Sequence, residues 1–195
     1  MRLLLVRHAI ALDRDTPGVS DHLRPLTEEG IAKFKKTARG LAALVTADLV
    51  LTSPLLRAKQ TAEILAHHWP GVATQENDSL GTGSRILFEE SLRRAADDAV
   101  IAAVGHEPFM SEWTGNWLGA AGSSAFEFKK GGAALIEFHG PPTEEGHERG
   151  NSPPPAALLS LPSRARRWRT RPRRGASWTG GGRGSPRALA GGRPA

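Results

Sequence analysis

The chain has 195 residues, 39% of them hydrophobic, enough for one core, and no apolar stretch approaches the roughly 20 residues a membrane span needs. It holds no cysteine, which excludes a disulfide framework, a thiolate nucleophile and a zinc–thiolate site. The net charge of +6 points to nucleic acid at first sight, but residues 1–148 carry 15 basic and 20 acidic residues, whereas 149–195 carry 11 arginines and no acid, so the basicity belongs to the end of the chain.

The first eleven residues, MRLLLVRHAIA, open with a short apolar run, Leu3 to Val6, the pattern of a strand buried on both faces. The run is too short for a signal-peptide core and is interrupted by Arg7 and His8, so a cytoplasmic protein is expected. A cation and an imidazole at the end of a buried strand are costly unless a site uses them. A breaker-rich loop, residues 12–26, leads to Thr27, an N-cap followed by Glu28 and Glu29 in the first turn of a helix to about Leu44. Ile31, Phe34, Ala38, Leu41 and Leu44 form its apolar stripe, and Gly30 and Gly40 weaken it locally.

Residues 47–52 read as a second strand. Ser53 as N-cap and Pro54 as first helical residue then open a helix to His68, with Arg57 in its first turn. Residues 72–75 are a weak strand and 77–83 a loop. Ser84 begins a helix to about Ala96 with Ile86, Leu87, Ser91 and Leu92 facing inward. Residues 99–104 form another buried strand ending in Gly105-His106, and the following helix, to about Leu118, carries Phe109, Trp113 and Trp117 in the core. Residues 133–138 are a final strand. The alternation predicts a three-layer α/β/α sandwich with a largely parallel sheet. After Gly140 periodicity fades into Pro, Gly, Arg, Ser and Ala. The reading is therefore a domain over 1–140 and a disordered tail over 141–195, in which only residues 156–159 have packing potential. Its composition is also what a shifted reading frame in GC-rich DNA produces, in which case the sheet lacks an edge strand.

Two histidines, His8 and His106, thus follow buried strands, and Arg7, Arg24 and Arg57 stand beside strand ends or helix starts. Strand carboxyl ends gather ligands in open α/β sheets. Arginine forks and helix N-termini suit a phosphate-like anion, and an imidazole there serves as nucleophile or acid/base. His22, His67, His68, His139 and His147 read as surface residues, and Glu107 as complementing a helix dipole.

These motifs occur in a recognisable order: Val6-Arg7-His8-Ala9, Arg24-Pro25-Leu26-Thr27, Ser53-Pro54-Leu55-Leu56-Arg57-Ala58-Lys59-Gln60-Thr61-Ala62 and Val104-Gly105-His106. Together they resemble the histidine phosphatase superfamily, and most closely its SixA-type phosphohistidine phosphatases, over roughly residues 1–140. The resemblance implies a phosphoglycerate mutase-like fold, His8 as the nucleophile that becomes phosphorylated, and Arg7, Arg24, Arg57 and His106 holding the phosphoryl oxygens. It implies no metal and no cofactor. The partner it implies is a phosphohistidine-carrying protein such as a histidine phosphotransfer domain, with no membrane role.

Two departures stand out. Ala9 replaces the family's glycine after the nucleophile. The region after the third strand offers only Glu76 and Asp78 as general acids, neither in a clear motif. A missing acid favours phosphohistidine over a phosphate ester, since an imidazole leaves more easily than an alkoxide. Three rivals remain: an esterase of the same superfamily, a non-catalytic phosphopeptide-binding module, and a nucleic-acid or anion binder that uses the seven arginines around Trp168. The acidic body argues against the last.

Overall fold

The computed structural model describes residues 1–119, 126–138 and 156–160, the last five as backbone path alone. Strands β1 (Arg2–Arg7), β2 (Leu49–Thr52), β3 (Ala73–Glu76), β4 (Val100–Gly105), β5 (Ala133–Phe138) and β6 (Ala156–Ser160) form one sheet in the order β3-β2-β4-β1-β5-β6. The four strands from β3 to β1 are parallel, β5 runs antiparallel to β1, and β6 antiparallel to β5. Helices α1 (Glu28–Leu44), α2 (Leu56–Ala66), α3 (Ser79–Thr82), α4 (Arg85–Leu92) and α5 (Phe109–Trp117) supply the outer layers, giving the expected α/β/α sandwich.

The alternating side chains of β1 explain why its sequence is apolar throughout. Leu4 and Val6 pack with Phe34, Ala38 and Leu41 of α1 and with Ala58, Ala62 and Leu65 of α2. Leu3 and Leu5 face the opposite layer with Phe88 and Leu92 of α4 and Met110, Trp113 and Trp117 of α5. The connections after β1 and β2 therefore use one face and those after β3 and β4 the other. β1 and β4 are neighbours whose outgoing chains diverge to opposite faces. A crevice opens at the carboxyl ends of two such strands, and that is where the site lies.

Most elements fall where the sequence puts them, and Thr27 caps α1 by accepting from the Gly30 amide at 3.0 Å. Five expectations need correction here, besides the start of α2 at Leu56 where Pro54 was expected. Gly30 is a requirement, because a Cβ there would stand 2.1 Å from the Ile10 carbonyl oxygen as α1 crosses the β1 exit. Leu44 is exposed at the end of α1. Residues 79–82, expected as loop, form a helical turn started by the Asn77 carboxamide, which accepts from the Ser79 amide at 3.1 Å. Helix α4 is turned from the expected phase: Phe88, Glu89 and Leu92 are buried, while Ile86 and Leu87 are 61% and 58% exposed. Phe88 stacks on Trp113 with centroids 5.0 Å apart, and the Trp117 indole donates to Glu89 at 2.7 Å, so aromatic packing and a buried hydrogen bond set the phase.

The fifth correction concerns residues 156–160. Read from composition as part of a tail, they add a strand to the sheet edge, with a register shift between Leu135 and Ile136. Their run is too short for periodicity to reveal and follows three prolines. The sheet therefore has the edge strand that a shifted frame was expected to remove. The rest of the segment, with His139, His147 and the arginines around Trp168, lies outside the described residues. No helix among the described residues is long and apolar enough to cross a membrane.

Candidate active site

Arg7 pairs with Gly105 in the β1–β4 register, and the His8 amide donates to the Gly105 carbonyl at 3.0 Å, so His8 and His106 leave neighbouring strands side by side. Their ring centroids are 5.0 Å apart at an interplanar angle of 52°. Both are buried, as are Arg24 and Arg57; Arg7 is half-buried.

His8 Nδ1 lies 2.7 Å from the Ala9 carbonyl oxygen. A carbonyl only accepts, so Nδ1 carries the proton and Nε2 keeps its lone pair. The Ala9 amide donates to Thr61 Oγ1 at 3.0 Å, and that hydroxyl donates to the Arg57 carbonyl at 2.7 Å. Thr61, one helical turn beyond Arg57, thereby docks the His8–Ala9 turn onto α2. Burial, followed by the charges of His106, Arg57 and Arg7, outweighs the Ala9 hydrogen bond and brings the His8 pKa to about 3. His8 is thus a neutral, oriented imidazole at pH 7, with the Nε2 lone pair that a nucleophile needs.

His106 Nε2 lies 2.8 Å from Ser53 Oγ, which also accepts from the Leu55 amide at 3.3 Å. These contacts explain why α2 starts at Leu56 instead of Pro54: Ser53 serves His106 as well as the helix start. The contact with Ser53 occupies Nε2 and leaves Nδ1 of His106 as the ring nitrogen without a partner. Burial and the charge of Arg57 lower His106 to about 4 against the pull of Asp21, and Arg7 and Arg24 lower it further.

Arg7 NH1 donates to the Phe128 carbonyl at 2.5 Å, and the amide of the same residue donates to Glu107 Oε1 at 2.9 Å. Ser111 Oγ donates to the same carboxylate oxygen at 2.7 Å. Glu107, read from sequence as a dipole partner, therefore holds the segment that holds Arg7.

Asp21 escaped the sequence reading. Its Oδ1 accepts from Arg24 Nε at 2.9 Å and NH2 at 2.7 Å, and its Oδ2 from Arg57 NH2 at 3.2 Å. Its carbonyl accepts from Arg57 NH1 at 2.7 Å, and Arg14 approaches Oδ1 at 3.5 Å. Burial works to raise this carboxyl, but the Arg24 hydrogen bonds and the charges of Arg57 and Arg24 prevail and hold it at about 2. The available signal was an aspartate three residues before Arg24. The loop carrying both is closed at its neck by the Ala11–Leu26 bridge, and the Leu26 amide donates to Gln60 Oε1 of α2 at 2.7 Å.

The structure thus brings Arg7, His8, Arg57 and His106 together, with Arg24 joined through Asp21. It does not bring in the two acids. Glu76 is exposed and paired with Lys59 at 2.6 Å, and Asp78 is exposed beside α3; neither bonds to any of those four residues. Among the described residues, the buried side-chain nitrogens without a hydrogen-bond partner are Arg7 Nε, Arg57 Nε and His106 Nδ1. All three belong to the constellation. Two unpaired buried guanidinium donors and an unpaired imidazole nitrogen beside the neutral His8 suit a tetrahedral oxyanion. No group of three or more metal-ligating side chains occurs among the described residues.

Fold and site together define an α/β enzyme-type crevice built for phosphoryl chemistry, and comparison with known proteins gives it a family. Residues 3–81 match the Histidine phosphatase superfamily (branch 1). The chain is 39% identical over 151 residues to an uncharacterized protein of Picosynechococcus sp., covering 71% of this chain and 90% of that one. Among solved structures it is similar to the protein histidine phosphatase SixA complexed with tungstate, with a TM-score of 0.63 and 19% identity over 83% of this chain and 96% of that one. It is also similar to a mycobacterial glucosyl-3-phosphoglycerate phosphatase, with a TM-score of 0.61 and 16% identity over 80% and 96% of the two chains. The chain belongs to the histidine phosphatase superfamily, and its fold is phosphoglycerate mutase-like.

Proposed function

We propose that the chain is a metal-independent, cytoplasmic phosphohistidine phosphatase that acts through a phosphorylated His8. The observation that carries this reading is the set of three unpaired buried nitrogens, on Arg7, Arg57 and His106, beside a histidine whose Nδ1 is already committed to Ala9. In the first step, Nε2 of His8 attacks phosphorus. The bond between phosphorus and the substrate's imidazole nitrogen breaks, and the departing imidazole keeps the electron pair together with a proton acquired beforehand from solvent. Arg7, Arg57 and His106 Nδ1–H meet the phosphoryl oxygens and stabilise the charge spread over them. In the second step, water attacks phosphorus, the His8–phosphorus bond breaks, and inorganic phosphate leaves. The arginines supply the positive charge that a metal brings in other phosphatases.

The substrate class follows from the same two steps. Whatever the substrate, this site must cleave a phosphorus–nitrogen bond of its own in the second step, with the residues it has. A phosphohistidine in the first step asks for nothing further. An alkyl phosphate ester asks for a proton on a departing alkoxide, and Glu76 and Asp78 make no bond to the site that would place one there. SixA supports the first substrate class as a structural neighbour, and the glucosyl-3-phosphoglycerate phosphatase is the neighbour that speaks for esters. The partner is then a protein that carries phosphohistidine, such as a histidine phosphotransfer domain.

The test compares turnover of a phosphohistidine peptide with that of an alkyl phosphate, in the wild type and in His8→Ala. Faster turnover of the peptide, lost in a folded His8→Ala variant and indifferent to chelator, is expected. Preference for the alkyl phosphate sinks the substrate class, and turnover by the variant sinks the nucleophile.

A further inference from the structure

Resting on the reading of the site as one for a phosphoryl group, we propose that Asp21 is the positioning residue that holds Arg57 for the transferred group, and that Arg24 acts only through Asp21. All three guanidinium nitrogens of Arg24 are engaged by its own loop. Its Nε and NH2 grip Asp21 Oδ1, and its NH1 donates to the Leu12 carbonyl. Arg57 is held by the same aspartate twice, through the carboxylate and through the main-chain carbonyl, which fixes NH1 and NH2 and leaves Nε buried and unpaired. Arg24 and Arg57 are only 6% and 4% exposed, and two buried guanidiniums this close repel unless an anion lies between them. The carboxylate of Asp21 is that anion. Because it bridges from the side, it neutralises the pair without taking the oxygen acceptor's place at Arg57 Nε.

This assignment separates two roles that a shared arginine type conceals. Arg57 touches the phosphoryl oxygens, whereas Arg24 and Asp21 form a brace on the closed loop between Ala11 and Leu26. Thr61 fixes the main chain of Arg57 from within α2, and Asp21 fixes its guanidinium from across the loop.

Tungstate affinity, measured by calorimetry on the full chain, tests the proposal without depending on turnover. Asp21→Asn is expected to weaken tungstate about tenfold or more, as loss of a charge-assisted brace should. Arg24→Lys, which loses the fork, is expected to weaken tungstate in the wild type but to add little in the Asp21→Asn background. An Asp21→Asn protein that binds tungstate as tightly as the wild type, or tighter, overturns the proposal, and so do losses that add in the double variant. If Asp21→Asn does not fold, Asp21→Glu carries the comparison: it keeps the charge but displaces the carboxylate, and wild-type affinity in that variant also overturns the proposal. In turnover assays, a brace lowers kcat as well as raising KM, whereas a general loosening of the fold lowers the melting temperature and leaves the affinity of the folded fraction unchanged. A wild type that binds tungstate but cleaves no phosphoramidate ends the proposed function and leaves the Asp21 comparison decisive. Normal cleavage with unchanged affinity in Asp21→Asn ends the Asp21 assignment alone.

Discussion

Acidification is expected to unfold this protein through the two histidines at its centre. His8 and His106 have folded pKa values of about 3 and about 4, against an ordinary value of 6.5. Both are depressed, so below 6.5 the unfolded chain binds protons that the folded chain refuses. Their contribution is therefore complete above about pH 6.5 and drains as the pH falls toward 4 and then 3. Between pH 7 and pH 5 an unfolded histidine goes from about one-quarter to almost fully protonated, which is worth about 2 kcal/mol for each of the two, or about 4 kcal/mol together. That is a large share of the roughly 5–15 kcal/mol that keeps a domain folded. Asp21 adds nothing in this window, since its carboxyl, held at about 2, stays ionised throughout and its ordinary value is 3.8. Urea titrations at pH 7 and pH 5, run on the wild type and on the double variant His8→Asn/His106→Asn, isolate the effect. The wild type should lose about 4 kcal/mol more than the variant over this interval. Equal losses in the two proteins would refute the burial argument for both histidines.

Three further outcomes follow from particular contacts. Arg57→Ala should lower turnover about 10²-fold or more, and Arg57→Lys should not restore it, because one ammonium cannot meet Asp21 and the phosphoryl group at once; steady-state kinetics with a phosphoramidate decide this, and near-normal rates in Arg57→Ala place the reaction elsewhere. Gly30→Ala should cost about 1–3 kcal/mol or more, since its Cβ meets the Ile10 main-chain oxygen at 2.1 Å and neither backbone can yield freely; an unchanged urea midpoint would contradict that close approach. A chain ending at Gly150 should melt several degrees below one ending at Ser160, because only the shorter chain loses β6 from the edge of β5; identical melting curves would show that β6 contributes no stability.

The fold was legible wherever one physical signal acted alone. The buried runs of β1 and β4 left no alternative to strand, and Thr27 with its two glutamates left none to a helix start. Legibility failed where two signals competed. In α4 the most apolar pair, Ile86 and Leu87, suggested the inward face, but Phe88 had the larger payload and Trp113 to stack on, and Glu89 had Trp117 to accept from. At Ser53 a good N-cap stood one residue before a good first-turn proline, yet its hydroxyl was also needed by a histidine 53 positions away. Composition concealed β6 because five residues are too few to show a period inside a segment of Pro, Gly and Arg.

The site divides along the same line. Arg7, His8, Arg57 and His106 were visible because they break the rule that buried positions at strand and helix ends are apolar, and such breaches mark function. Their supports obey the rules. Asp21 sits in a polar loop, Glu107 near a helix start and Thr61 on a helix, each where a bland reading suffices. What distinguishes them is the distance their contacts span: the hydrogen bond from Arg7 to the Phe128 carbonyl crosses 121 positions and that from Arg57 to Asp21 crosses 36. No local pattern encodes such pairs, since they exist only after the sheet has brought β1, β4 and the closed loop together. An arginine motif can therefore gather side chains whose partners in the fold differ. Arg24 carries the same fork as Arg57, yet the anion that fork meets is a carboxylate of its own chain.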